Sequence, residues 1–161
     1  KEITTKKVIK KINTLRETLR KDFLIKHPKI AILAINPHAG DNGVIGSEDQ
    51  EVLMPAIAAN NKNKHLTYGP FSADTFFSDE NFKKYDGIIA AYHDQGLIPF
   101  KTMSFGKGVN YSAGLPIIRT SPDHGTGFDI AGKGIASSTS FLQAIKVGIN
   151  IFKSRNTIVW H

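Results

Sequence analysis

Two histidines of the sequence each follow a short apolar run. Residues 29–35, KIAILAI, lead into NPHAG and His38, and residues 86–92, DGIIAAY, lead into HDQG and His93. Such runs are typical of strands that are buried on both faces of a parallel sheet. Ligands of open α/β sheets bind beyond the carboxyl ends of the strands, and neutral imidazole is a good ligand for divalent metals. His38 and His93 are therefore candidate metal ligands.

Two histidines do not complete a metal site, because a catalytic site normally has three protein ligands and an open position. Asp94 follows His93 directly, and Asp74 lies between the two motifs. Either carboxylate is a candidate for the third ligand, as is a residue outside this chain, and a carboxylate can also orient an imidazole. The alternative interpretation is that both histidines are ordinary loop residues.

Three side chains that suit an anionic substrate follow His93, namely Lys101, Asn110 and Arg119. They supply a point charge, an amide and a planar guanidinium, a combination that favours a phosphate or a carboxylate. Each of them taken alone is also a common surface residue. Residues 123–134, DHGTGFDIAGKG, are rich in glycine, whose backbone N–H groups can approach phosphates. This segment matches neither the Walker A motif nor the G-x-G-x-x-G fingerprint.

Helical and extended patterns alternate along the chain, which predicts an α/β fold with a mainly parallel sheet. The predicted strands cover residues 29–35, 64–69 and 86–92, and two further extended runs lie near 108–112 and 116–121. The first predicted helix has apolar residues from Val8 to Phe23, the second runs from a Ser47 capping box to about Ala59, and a short one covers 79–84. The last predicted helix covers 137–154 and has Phe141, Ile145, Gly148 and Phe152 on one face. Residues 93–101 are expected to form a loop that can start a helix. Pro99, Gly106 and Gly108 predict a domain boundary near 97–108.

Composition narrows the class of protein. Apolar residues make up 40% of the chain, which is enough to form a core. No apolar run approaches the roughly 18 residues that span a bilayer, and the absence of cysteine excludes disulfides and thiolate chemistry. We therefore expect a cytoplasmic protein with no membrane partner.

The net charge of +7 comes from one segment of the chain. Residues 1–29 carry ten basic and three acidic residues, whereas the remaining residues balance. We interpret the excess as the solvated face of one helix, and we expect no nucleic-acid partner. The alternative is a non-catalytic nucleic-acid-binding module that uses this basic helix.

The motifs resemble, in their order and spacing, those of the 4-hydroxythreonine-4-phosphate dehydrogenase family. They are NPHAG at 36–40, ADT at 73–75, YHDQGL at 92–97 with Lys101, VN at 109–110 and GLPIIRTSPDHGT at 114–126. The loop at 123–134 is also similar to the cofactor loop of isopropylmalate and isocitrate dehydrogenases. The resemblance implies the α/β/α fold of those enzymes, incomplete here because the family has a further N-terminal portion with a third metal histidine.

The resemblance also implies an activity. Family members use NAD or NADP and a divalent metal (zinc, magnesium or cobalt) to oxidise and decarboxylate 4-phosphooxy-L-threonine to 3-amino-2-oxopropyl phosphate in pyridoxal 5′-phosphate biosynthesis. They act as homodimers with active sites at the subunit interface. A sister dehydrogenase of phosphorylated threonate or erythronate fits the same motifs, and an inactive fragment is a further alternative.

Residue roles carry over from the family motifs position by position. The implied metal site comprises His38, His93, Asp74 and Asp94; the substrate-binding residues are Lys101, Asn110 and Arg119; the proton-transfer candidates are Lys101 and Asp94; and the cofactor-binding residues are His124, Gly125 and Thr126. Residues 1–100 correspond to the middle domain, which binds metal and substrate and dimerises. Residues 101–161 correspond to the returning part of the cofactor-binding domain.

Overall fold

The structure, a computed structural model, describes residues 2–78 and 80–157. The chain divides into two compact units, Lys1–Pro99 and Phe100–His161. The helices are α1 (Thr5–Lys21), α2 (Met54–Lys62), α3 (Ala73–Phe76), α4 (His93–Ser104) and α5 (Thr139–Thr157), and the strands are β1 (Ile30–Leu33), β2 (Thr67–Phe71), β3 (Gly87–Ile89), β4 (Val109–Tyr111) and β5 (Thr120–Pro122). Within the described residues, no helix has the length and hydropathy needed to cross a membrane.

The first unit contains a parallel sheet of three strands in the order β2–β1–β3. Ile30 of β1 is aligned with Thr67 of β2 on one side and with Gly87 of β3 on the other. The carboxyl ends of all three strands therefore share one edge of the sheet. The predicted α/β class with a parallel sheet is confirmed.

β1 is buried on both faces, as its continuous apolar sequence predicts. Ile30 and Ile32 pack against the apolar residues of α1 and α2. Ala31 and Leu33 pack on the opposite face against Phe76 and neighbouring aromatic rings. No residue of β1 is more than 1% exposed. A helical layer and an aromatic layer thus hold the central strand, from which the His38 segment leaves the sheet.

α1 has the amphipathic character that its sequence predicts, but it ends at Lys21, so Phe23 lies beyond it and is 47% exposed. Its buried positions include Val8, Ile12 and Leu19, which recur at helical spacing. The Thr4 side chain accepts a hydrogen bond from the Lys7 N–H at 3.3 Å and so caps the first turn. Burial of each large aliphatic side chain contributes about 1.5–3 kcal/mol, so packing rather than propensity fixes this helix against the sheet.

Residues 93–101, predicted as a loop that can start a helix, are helical from His93 onwards and belong to α4. Pro99 lies inside this helix, and because proline has no N–H, the carbonyl of Gln95 lacks its usual helical donor. Helix formation here outweighs the loss of one hydrogen bond. The preceding strand is also shorter than residues 86–92 and only half-buried, because β3 is an edge strand of the sheet.

The helix predicted from Ser47 begins with a π-helical segment, Asp49–Leu53, and continues as α2 to Lys62. The Ser47 carbonyl accepts hydrogen bonds from the N–H groups of Gln50 and Glu51, at 3.0 and 2.9 Å. The wider turn places Asp49 inward, where it is 1% exposed. This buried carboxylate contributes to the site described below.

In the second unit an antiparallel hairpin, β4–β5, packs against α5. The Thr120 hydroxyl donates to the Ala144 carbonyl at 2.9 Å, and a Cβ added at Gly148 would lie 3.2 Å from that hydroxyl. The predicted apolar face of α5 is largely exposed, since the side chains of Phe141, Ile145 and Phe152 are 57%, 44% and 62% exposed. The buried residues of α5 are instead Ser140, Ala144 and Ile151.

Candidate functional site

The segments that follow the three parallel strands carry the candidate metal ligands. His38 follows β1, Asp74 follows β2, and His93 begins α4 after β3. Because β1 pairs with both of its neighbours, these segments leave the sheet at the same edge. This is the edge beyond which open α/β sheets bind ligands.

The loop that carries His38 has a strained backbone. Residues His38–Asn42 all have left-handed φ values, including 53° at His38 and 54° at Ala39. This conformation costs roughly 1–2 kcal/mol for each residue that has a side chain. Gly40, at φ 82°, is buried, and a Cβ there would lie 2.5 Å from the Gly46 carbonyl oxygen. Such strain persists only where the surrounding structure imposes it, and it clusters at functional sites.

Asp49 fixes the point at which this loop leaves β1. Its buried carboxylate accepts hydrogen bonds from the backbone N–H groups of Ile35 and Asn36, at 2.7 and 3.0 Å. The Asn36 side-chain amide donates to Glu48 at 2.8 Å, and this bond is the main cause that lowers the pKa of Glu48. The backbone just before His38 is therefore held from two sides.

Asp74 lies within electrostatic range of His38. The Ser72 hydroxyl donates to the Asp74 carboxylate at 2.7 Å. That bond is the main cause that lowers the pKa of Asp74, and the charge of His38 lowers it further. The carboxylate is consequently ionised at neutral pH, the form in which it can bind a cation.

His93 and Asp94 form a pair at the start of α4. Nδ1 of His93 lies 2.8 Å from the Asp94 carboxylate, and the two side chains are 77% and 79% exposed. When Nδ1 carries the hydrogen, it donates a hydrogen bond to the Asp94 carboxylate, and Nε2 keeps the lone pair that can bind a metal. The pair thus has the chemistry of a metal-binding histidine with an orienting carboxylate.

Gln95 joins the two segments that carry the histidines. Its Nε2 donates to the Ala34 carbonyl at the end of β1, at 2.7 Å, and its Oε1 accepts from the Ala91 N–H beyond β3, at 2.9 Å. The side chain therefore extends the β1–β3 pairing past the last strand residues and fixes the spacing of the His38 and His93 segments. The HDQG motif alone gives no indication of this role, because the partners of Gln95 lie outside the motif.

We expect Gln95→Leu to lower the free energy of unfolding by about 1–3 kcal/mol, because two backbone groups lose their hydrogen-bond partner. Metal affinity should fall by about 10–100-fold, the usual effect of losing an orienting residue behind the ligands. Urea unfolding followed by circular dichroism, together with a zinc titration, measures both effects. Gln50→Leu, at an exposed position, is the matched control. Equal stability and affinity in the two variants would contradict this role for Gln95.

The donor set at this edge suits a divalent metal, since it combines imidazole nitrogens with carboxylate oxygens. Across residues 2–78 and 80–157, however, no three histidine, aspartate or glutamate side chains form a group that could hold an ion. The described residues therefore assemble no complete metal site by themselves. His38, His93, Asp74 and Asp94 remain predicted ligands.

Two of the predicted substrate-binding residues lie on the β4–β5 hairpin of the second unit. Asn110 is aligned with Ser121, and the Ser112 N–H donates to the Arg119 carbonyl at 3.0 Å. This register places Asn110 and Arg119 diagonally on one face of the hairpin. Nη1 of Arg119 also donates to the Ser112 hydroxyl, at 3.0 Å, which orients the guanidinium.

Lys101 and His124 line one cavity of the second unit, with a volume of about 170 Å³. Nδ1 of His124 lies 2.9 Å from the Gly125 carbonyl oxygen. Gly125 and Thr126 follow in an exposed loop. Lys101 of α4 therefore lines the same cavity as Asp123 and His124, the first residues of the predicted cofactor segment.

The chain matches a family of known proteins over most of its length. The family model described as pyridoxal phosphate biosynthetic protein PdxA matches residues 1–148. The chain is also 50% identical, over 153 residues, to a 4-hydroxythreonine-4-phosphate dehydrogenase of Bacteroides thetaiotaomicron. That alignment covers 95% of this chain and 42% of the relative.

Solved structures share the fold. A 4-hydroxythreonine-4-phosphate dehydrogenase from Klebsiella pneumoniae matches with a TM-score of 0.78 and 39% identity over 96% of this chain and 46% of its own. A terephthalate 1,2-cis-dihydrodiol dehydrogenase from Burkholderia xenovorans matches with a TM-score of 0.70 and 31% identity over 91% of this chain and 46% of its own. The chain thus spans less than half the length of these proteins. Because the family model covers nearly all of its motifs, the chain belongs to the family of the pyridoxal phosphate biosynthetic protein PdxA.

Proposed function

We propose that this chain contributes metal-binding, substrate-binding and cofactor-binding residues to the NAD-linked oxidation and decarboxylation of 4-phosphooxy-L-threonine. One observation carries the proposal. Three parallel strands deliver His38, Asp74 and His93 to one sheet edge, in a chain that is 50% identical to a relative named for this dehydrogenase activity.

The reaction removes a hydride from the hydroxyl-bearing carbon of the substrate and a proton from the hydroxyl oxygen. The hydride would pass to NAD⁺ and the proton to a base. The resulting β-keto acid would lose carbon dioxide, and the carbon that carried the carboxylate would take up a proton to give 3-amino-2-oxopropyl phosphate. A divalent metal, for which His38, His93, Asp74 and Asp94 are the predicted ligands, would supply Lewis acidity that lowers the pKa of the substrate hydroxyl. Asp94 and Lys101 are the candidate proton acceptors, because a carboxylate and an amine are both established general bases.

We assign the binding of the substrate's anionic groups to residues of the second unit. Arg119 presents a planar guanidinium already oriented by Ser112, and Asn110 lies on the same hairpin face. An arginine fork matches the geometry of a phosphate or carboxylate, and Lys101 adds a point charge. His124, Gly125 and Thr126 are assigned to the adenosine part of NAD or NADP.

We also propose that the site is completed at the interface of a homodimer. The predicted ligands His38, Asp74, His93 and Asp94 are all exposed, and the described residues gather no group of three that could hold an ion. A catalytic metal site needs three protein ligands and excludes bulk water. Further protein groups must therefore cover this edge.

The substrate is tested with the full-length protein and a panel of phosphorylated hydroxy acids. We expect NADH formation with 4-phosphooxy-L-threonine to exceed that with phosphorylated threonate or erythronate by at least about 100-fold in kcat/KM, because a site that binds the amino group discriminates against substrates that lack it. The absorbance of NADH measures the rate.

A sister dehydrogenase is the second candidate, because a relative with 31% identity carries the name of a different substrate on the same fold. Preference for phosphorylated threonate or erythronate in the panel would establish this candidate. Absence of NADH formation with every member, in protein loaded with zinc, magnesium or cobalt, would contradict the dehydrogenase proposal itself.

A further inference from the structure

Basic side chains line a cavity at the opposite edge of the sheet, where β1 and β2 begin. They come from α1, the α1–β1 connection and the α2–β2 connection, and they are Arg16, Arg20, Lys26, His27, Lys64 and His65. The Ile30 N–H donates to the Leu66 carbonyl at 2.8 Å, which holds the two connections side by side. We refer to this space as the basic cavity.

The sequence brings these cations together through two local features. Arg16 and Arg20 are four residues apart and therefore share one face of α1. Lys64 has a left-handed φ of 59°, which turns the chain from α2 towards β2 and brings Lys64 and His65 to the cavity. The volume of about 150 Å³ is roughly ten times the ~15 Å³ that one water molecule needs. A phosphate or a pyrophosphate fits this space.

The basic cavity carries more positive charge than the described carboxylates neutralise. Glu17 pairs with Arg16 at 3.0 Å and with Arg20 at 3.5 Å. Neither Lys26 nor Lys64 forms an ion pair with a carboxylate among the described residues. Two of the four permanent cations therefore have no carboxylate partner in the described part of the chain.

Two nitrogen atoms of the lining residues are buried without a hydrogen-bond partner in the described part of the chain, namely Nε of Arg16 and Nδ1 of His65. Burial is the main cause that lowers the pKa of His65, and the charge of Arg16 lowers it further. The two unpartnered nitrogen atoms indicate that the lining of the basic cavity lacks hydrogen-bond partners. Buried polar groups of this kind are normally satisfied by a partner.

We propose that the basic cavity binds a small, multiply charged anion of the phosphate class, either free or carried by a small metabolite. Arginine forks and lysine ammonium groups are the side chains that recognise phosphate oxygens. The site is separate from the candidate metal site, because the two lie at opposite ends of β1.

Ordinary structural roles explain only part of this charge. Arg20 and Lys21 lie in the last turn of α1, where basic residues stabilise the carbonyl end of a helix. Lys26 lies in the α1–β1 connection and Lys64 lies two residues beyond the end of α2, so neither belongs to the last turn of a helix. A nucleic acid would need cations spread along an extended surface, whereas these side chains converge on one small cavity.

Isothermal titration of the 161-residue chain with inorganic pyrophosphate, at fixed ionic strength, tests the proposal. We expect saturable binding to one site. Lys26→Ala and Lys64→Ala should each weaken it by about tenfold, since each removes a charge-assisted contact. Both positions are exposed, so the variants should fold, and circular dichroism checks this. Lys10→Ala removes the same charge from an exposed position of α1 outside the cavity and should change affinity less than twofold.

Parallel titrations with inorganic phosphate and with a short DNA duplex identify the ligand class. Tighter binding of pyrophosphate than of phosphate favours a diphosphate-bearing ligand, and the reverse order favours a monophosphate; both support the proposal. Absence of saturable binding would overturn it, as would equal weakening by Lys10→Ala and Lys64→Ala. Tighter binding of the duplex with equal sensitivity to all three lysines would instead establish a nucleic-acid surface.

Discussion

Replacement of His93 by alanine is expected to abolish metal-dependent NADH formation by the full-length protein. His93 is one of two imidazoles at the carboxyl edge of the sheet, and its Nδ1 lies 2.8 Å from the Asp94 carboxylate. A catalytic metal contributes several kcal/mol to the stabilisation of developing charge. Loss of that contribution lowers kcat by about 10³-fold or more, because each 1.36 kcal/mol is a factor of ten. His38→Ala should have the same effect.

The control is Lys10→Ala, an exposed residue of α1 that lies outside the candidate metal site and outside the basic cavity. It should leave turnover within about twofold, as expected for a surface substitution. Metal content after dialysis gives a readout that does not depend on activity. It should fall in the His93 and His38 variants and stay at the wild-type value in the Lys10 variant. Near-normal turnover and metal content in either of the first two variants would exclude that residue as a ligand.

Local patterns predict the central part of the fold. The apolar run at 29–35 indicates a strand buried on both faces, and β1 is such a strand because helices cover Ile30 and Ile32 while aromatic rings cover Leu33. The helical spacing of Val8 and Ile12 likewise predicts α1. In each case the pattern within one short segment is enough for the prediction, because the periodicity of its apolar residues indicates which face is buried.

Other elements depend on partners that a local pattern does not reveal. Residues 93–101 contain Gly96 and Pro99 and therefore resemble a loop, yet α4 forms across them. The apolar face of α5 suggests burial, but the hairpin contacts its small residues, and Phe152 remains 62% exposed. Propensity and periodicity are weak guides where tertiary packing decides.

The same limit applies to the candidate site. His38 and His93 could be found because each follows a recognisable strand. Gln95 could not be assigned a role, because its partner Ala34 is 61 residues away. The left-handed backbone of the His38 loop has only a partial local signal, because glycine, asparagine, aspartate and histidine are enriched at positive φ, whereas Ala39 is not. Long-range hydrogen bonds, which only the fold specifies, hold the predicted side chains in place.

The largest expected effect on stability is that of Asp49→Ala, which should lower the free energy of unfolding by about 3–5 kcal/mol. The Asp49 carboxylate is 1% exposed and accepts hydrogen bonds from the N–H groups of Ile35 and Asn36. Hydrogen bonds to a charged group contribute about 1.5–3 kcal/mol each, and their removal leaves two backbone donors without a partner. Urea unfolding monitored by circular dichroism measures the change, provided that the slope of the transition is unaltered.

Two further variants separate the hydrogen bonds from the loss of volume and charge. Asp49→Asn keeps the size and one carbonyl oxygen, so it should cost roughly half as much as the alanine variant. Glu51→Ala removes an exposed carboxylate from the same helical segment and should change stability by less than about 0.5 kcal/mol. Amide exchange should accelerate at Ile35 and Asn36 in the Asp49 variants alone, because these are the groups that lose their acceptor. Unfolding of Asp49→Ala at the wild-type urea concentration, with protected amides at both positions, would show that this carboxylate does not hold the His38 loop.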